Sequence, residues 1–273
     1  MQYVNVASFA ILVFDYCLTF GMEATLIWPA RTSFLRTLFF LARYTPFFDV
    51  PMTLYYSLAP NIALHNCLSL NVVSTSMGAF GIAIGELILL VWAYALSGCL
   101  RMVLIVFGTI YLIEVLSTVV LIGLYLRSLR FGPPLLSAIP GCNETGSNSL
   151  LIGVSFTLAL FNEIVLISYT LWLGYKKYRR LRNPFIVTMY RDGITYFLLL
   201  FLGYAANFTI LFAGEGELQE LLTTFVRVMH SVLCSRVLLN VREVERRRAE
   251  ESIGRPVTTS LGITFADDVY ADT

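Results

Sequence analysis

Seven apolar stretches of membrane-crossing length run through this chain, at about 3–28, 34–58, 71–96, 102–126, 150–175, 193–213 and 218–239. About 20 apolar residues in a helix cover the roughly 30 Å of a bilayer's hydrocarbon. A helix is also the open-ended element that satisfies its own backbone hydrogen bonds in lipid. The expected fold class is therefore all-α: a polytopic membrane helix bundle with seven transmembrane helices. Composition agrees, because only 14% of residues are charged and 57% are hydrophobic. A soluble domain carries about 25% charged residues to solvate its surface. Met1-Gln2-Tyr3-Val4 lacks the basic region that opens a cleavable signal peptide, so the first stretch is read as a retained helix. Pro46 and Pro51 are expected to kink the second.

Lysine and arginine set the orientation. With the N-terminus outside, the inner side receives Arg31, Arg36, Arg101, the run Lys176, Lys177, Arg179, Arg180 and Arg182, then Arg191 and the arginines from Arg242 onward. The outer loops keep only Arg127 and Arg130. The C-terminus is then cytosolic. The organisation expected is a transmembrane domain over 1–240 and a polar tail over 241–273, the tail holding a short interfacial helix followed by disorder. The sequon at Asn143 falls in an outer loop, where a glycan can be attached; the one at Asn207 falls within a helix. Of five cysteines, only Cys67 and Cys142 lie on the oxidising side, which makes them a candidate disulfide pinning that loop over the bundle mouth. The expected location is the plasma membrane or another membrane of the secretory pathway.

Ionisable groups inside the spans carry the chemistry, since each costs about 2.5–3.5 kcal/mol at mid-membrane. Helix one has Asp15 and Glu23, on one face with Thr19; helix two has Arg43 and Asp49; helix three has Glu86. Glu114, Glu163, Arg227 and His230 lie in later spans. Counting depth from the inner ends puts Arg43 level with Asp15, Glu23 and Glu86. A cluster of Arg43 with Asp15 or Glu86 is expected to join helices one, two and three. Such a cluster could simply fix helix packing, or it could hold a ligand, ion or proton. Gly78, Gly81 and Gly85 with Ala79 and Ala83 form a small-residue face, read as close helix packing. His65 is read as a solvated outer-loop residue.

Several functions are excluded. A retinal pigment needs a buried lysine, and the only lysines are Lys176 and Lys177 at a membrane edge. Two histidines, His65 and His230, fall short of a zinc site by themselves. There is no nucleophile elbow, phosphate loop or HExxH motif. No catalytic residue, metal or cofactor is implied. With a net charge of +1, nucleic acid is not an expected partner.

Some short elements are more specific. They include Val13-Phe14-Asp15-Tyr16, Arg43-Tyr44, Tyr94-Ala95-Leu96, Pro140-Gly141-Cys142, the run Tyr190-Arg191-Asp192-Gly193, and Ser235-Arg236 with Leu239-Asn240. Together they resemble a family of multi-pass membrane proteins of basidiomycete fungi whose N-terminal region is a domain of unknown function. The resemblance implies seven helices and a fungal origin, and it brings no activity. In one departure, Trp92 stands where the resemblance leads one to expect arginine.

The architecture parallels that of G-protein-coupled receptors: seven helices, an outer disulfide and a basic third inner loop. An Asp-Arg-Tyr ending, a helix-six proline and an Asn-Pro-x-x-Tyr motif are missing. Fold alone does not carry function. The leading expectation is a receptor-like sensor of a small or lipophilic ligand, with membrane lipid around it. Its basic run Lys176–Arg182 would meet a cytosolic signalling partner or anionic lipid. The alternatives are a small proton- or solute-transporting protein and a non-signalling membrane scaffold.

Overall fold

The computed structural model describes residues 2–30, 32–59, 62, 64–132, 142, 144–178, 198–210 and 222–253. They form helices α1 (Gln2–Leu26), α2 (Phe34–Tyr44), α3 (Pro46–Leu58), α4 (Leu64–Ser97), α5 (Arg101–Ser128), α6 (Ser149–Tyr178), α7 (Leu198–Ile210) and α8 (Thr223–Ile253). A short antiparallel ribbon, β1 (Arg130–Phe131) with β2 (Glu144–Gly146), adds a β element to the all-α expectation. Among the described residues, five helices are long and apolar enough to cross a membrane by themselves: α1, α4, α5, α6 and α8. The expected count of seven is thus met directly by five.

Local chemistry explains the breaks. The second apolar stretch divides at Thr45-Pro46, where proline lacks the N–H that would continue the α2 ladder and instead opens α3. Pro51 sits inside α3 without ending it. Ser33 caps α2, its hydroxyl accepting from the Arg36 N–H. The Arg36 guanidinium donates to the Ala30 and Trp28 carbonyls and so satisfies the backbone that follows α1. The α4–α5 turn closes through Gly98, at φ 83°, with its N–H on the Ala95 carbonyl and the Cys99 N–H on the Tyr94 carbonyl. So tight a connection sends α5 back antiparallel to α4.

Two boundaries differ from expectation. Helix α4 begins about two turns before the expected start, so His65 is helical and exposed instead of lying in a loop. Among the described residues the last span runs on unbroken as α8 through Arg242 and Glu243 to Ile253, where a separate interfacial helix was expected. Residues 254–273 lie outside the described residues.

Helix α4 is central and packs against α2, α3, α5, α6 and α8, while α1 packs on α8 and α3. The main core gathers Leu26, Phe39, Ile88, Leu89, Trp92 and Leu239 from α1, α2, α4 and α8. Trp92 is 6% exposed there, so the departing residue fills core volume. The outward faces of α1 and α5 are apolar and bare, with Phe14, Leu112, Ile113 and Leu116 all exposed. Water would penalise such a surface and lipid does not.

Candidate functional site

Three sets of polar side chains are buried between the helices. In the first, Arg43 reaches from α2 to α1. Its Nε lies 2.5 Å from Glu23 Oε2, its Nη1 lies 3.8 Å from Asp15 Oδ2, and its Nη2 donates to Thr19 Oγ1 at 2.6 Å. The four-residue spacing of Asp15, Thr19 and Glu23 stacks them along one side of α1, which presents all three to a single arginine. Arg236 of α8 donates to Asp15 Oδ1 at 2.6 Å, and Tyr44 donates to Glu23 Oε1 at 2.7 Å. The Tyr16 ring covers the Arg43 guanidinium, 4.9 Å from its centroid. Two carboxylates thus face two arginines, and the set is neutral.

The second set joins α3 to α8. Arg227 Nε donates to Asp49 Oδ2 at 2.9 Å, and its Nη2 donates to Thr45 Oγ1 at 2.9 Å. This set explains the glycines of α4. A Cβ at Gly81 would overlap the Arg227 guanidinium, one at Gly85 would overlap the His230 ring, and one at Gly78 would touch Asp49 Oδ2. The small face therefore makes room for polar side chains entering from α3 and α8, a role beyond the plain helix packing expected of it.

The third set corrects the expected cluster. Glu86 does not join Arg43, and Asp49 takes a different arginine. Instead Glu86 Oε2 accepts from Asn162 Nδ2 at 3.1 Å, and its carboxyl lies within hydrogen-bonding reach of Glu114 on α5. Glu163 follows Asn162 on α6 and is 1% exposed, with neither carboxyl oxygen hydrogen-bonded. The Tyr204 hydroxyl on α7 is equally buried and unbonded, and its ring meets His230 edge-on at 6.0 Å. Among the described residues no lysine or arginine pairs with these three glutamates, and no cluster fit to hold a metal ion is formed.

A cavity of about 540 Å³ lies beside the third set. Its lining comes from α1 and from α3 through α8. Glu86, Glu114, Tyr204 and the Asp49–Arg227 pair supply its polar groups, and apolar side chains such as Ile82, Ile122 and Phe156 supply much of the rest. Between α4 and α5 the rim includes Phe80 and Val119, which are 46% and 65% exposed on the apolar outer face. Toward one end the cavity reaches Tyr56, whose carbonyl accepts from the Cys142 N–H. There the Cys67–Cys142 disulfide ties the first turns of α4 to the segment leading into β2. Toward the other end, the main core closes the bundle.

Of the remaining candidates, Lys176 is exposed at the end of α6, its ammonium 4.9 Å from the Trp172 ring. Lys177 belongs to the same helix end. Asn143, Arg179, Arg180 and Arg182 lie outside the described residues.

Sequence reasoning missed Arg236, Tyr44, Asn162 and Tyr204. A scan for charge at matching depth skips neutral side chains, and Arg236 enters the sequence reading only within the Ser235-Arg236 element. A usable signal exists: Arg227 and Arg236 are nine residues apart, which at about 100° per residue sets them on opposite faces of one helix. That spacing sends one to α3 and the other to α1.

No curated protein matches this chain. Residues 3–48, which contain Arg43 and both of its carboxylate partners, match a family of unknown function (DUF6533).

Proposed function

We propose that this protein is a receptor-like membrane sensor that binds a small or lipophilic ligand within its helix bundle. In this reading the chain crosses the membrane seven times. The joined α2–α3 unit and α7 with its neighbouring residues complete the five long spans, the N-terminus is outside, and the C-terminus is cytosolic. The single observation that carries the reading is the cavity. Its volume of about 540 Å³ falls in the range of small-molecule sites, and a few converging polar groups interrupt apolar walls. The rim between α4 and α5 favours a ligand arriving through lipid. The basic run from Lys176 to Arg182 then faces an acidic cytosolic partner or anionic headgroups.

One observation favours a second reading, a proton- or solute-coupled carrier. Three buried glutamates at mid-bundle are the kind of group such carriers use. The scaffold reading predicts neither binding nor flux.

The test uses the full chain in lipid nanodiscs titrated with octan-1-ol, with empty nanodiscs subtracted. Saturable binding that Thr118→Trp abolishes is the expected result, because that side chain would fill the cavity. Binding that survives Thr118→Trp, or no saturable binding, overturns the reading. Solute flux in liposomes containing this protein alone would favour the carrier. A glycosidase-sensitive gel shift that Asn143→Gln removes is expected from the proposed orientation.

A further inference from the structure

The charge on the cavity wall is lopsided. Among the described residues, Asp49, Glu86 and Glu114 line it against Arg227 alone, and Arg227 is already held by Asp49. Glu86 and Glu114 are left facing each other across the α4–α5 contact, 2% and 8% exposed. Glu86 Oε1 and Glu114 Oε2 have no hydrogen-bond partner, although both are buried. Two carboxyl groups this close repel unless a proton or a cation lies between them. Tyr204 lines the same cavity, and its buried hydroxyl, which no partner bonds, is a donor and acceptor independent of the acids.

From this geometry we infer that the cavity takes an organic ammonium with an apolar body, its N–H groups held by Glu86 and Glu114 and its body against the apolar walls. The inference rests on the ligand-binding reading above and specifies the chemical class of the ligand. A primary ammonium brings three donors, enough for Glu86 Oε1, Glu114 Oε2 and the Tyr204 oxygen together. On binding, any proton shared by the two carboxyls leaves to water and the ammonium replaces it. A carboxylate ligand would add a third negative charge and be rejected. An alcohol of the same body would gain the walls but not the charge-assisted hydrogen bonds.

The test compares octylamine, octan-1-ol and octanoate against the full chain in nanodiscs at neutral pH, again with empty nanodiscs subtracted. The expected result is octylamine binding about tenfold tighter than octan-1-ol, with octanoate weakest. Glu86→Gln and Glu114→Gln should each bring the amine-to-alcohol ratio close to one while octan-1-ol still binds. Glu114→Asp, which keeps the charge, should retain the preference, and it serves as the folded comparison if Glu86→Gln does not assemble. An equal affinity for amine and alcohol in the native chain, or a preference unchanged in both Gln variants, overturns this inference and leaves the cavity a ligand site. Failure of all three compounds to bind saturably overturns the ligand-site reading as well.

Discussion

Glu23 and Glu163 are equally buried, at 0% and 1% exposed, yet their surroundings are opposite. Glu23 pairs through Oε2 with Arg43 and accepts at Oε1 from Tyr44 and Trp28, so its negative charge is matched. Glu163 meets none of these and stands near Glu114, and among the described residues no arginine or lysine pairs with it. The first set is neutral and tightly bonded, with the Arg43 guanidinium also stacked on Tyr16. That is the arrangement of a structural joint between α1, α2 and α8. The second leaves buried carboxyls unsatisfied beside open volume, which costs stability. Residue type and burial are alike, so pairing is what separates the two.

The largest expected effect tests the joint. Arg43→Ala leaves Asp15 and Glu23 buried without their shared partner and should lower stability by about 3–5 kcal/mol, read as a fall in melting temperature in detergent. A variant that assembles and melts like the native chain would remove the structural role assigned to this cluster. The contrast itself is tested by the pair Glu23→Gln and Glu163→Gln. The former breaks a charge-assisted contact and should cost about 1–3 kcal/mol. The latter breaks none, so its melting temperature should equal or exceed the native value; equal losses in both would dissolve the comparison.

Smaller effects probe the boundary between the two regions. Gly81→Ala drives a methyl into the Arg227 guanidinium, which Asp49 holds in place, and should cost about 1–3 kcal/mol. Gly85→Ala should do the same through the His230 ring. Gly21 of α1 has nothing within 4 Å of an added Cβ. Gly21→Ala should therefore gain about 0.5–1 kcal/mol from helix propensity alone. Thermal unfolding of the three variants side by side orders them. A loss at Gly21 matching that at Gly81 would mean that propensity and lipid contact, not the entering arginine, govern these positions.

Hydropathy made the long spans legible, because about 20 apolar residues have few alternatives to a bilayer. Side-of-membrane reasoning singled out Cys67 and Cys142, which the structure joins. Spacing by four aligned Asp15, Thr19 and Glu23 on α1, a purely local consequence of helical periodicity. The break at Pro46 was legible for the same reason, because proline's missing N–H acts within one turn. The extent of α4 and the unbroken run of α8 were less so, since polar residues at helix ends fit equally well inside or outside the helix.

What the sequence determined by itself is the long apolar helices, the face shared by Asp15, Thr19 and Glu23, and the pair of cysteines that the structure joins. All of these follow from local periodicity and from transfer between water and lipid. What only the tertiary structure decided is which acid meets which arginine. Depth left Arg43 equally able to reach Asp15, Glu23 and Glu86; rotation of the helices about their axes and the neighbours each one acquires gave it the first two. Arg236 and Arg227 then came from α8, far along the chain, and Glu86 and Glu114 were left lining a cavity that no single helix contains. Pairing and empty volume are properties of helices packed together, so a one-dimensional reading holds the parts without the partners.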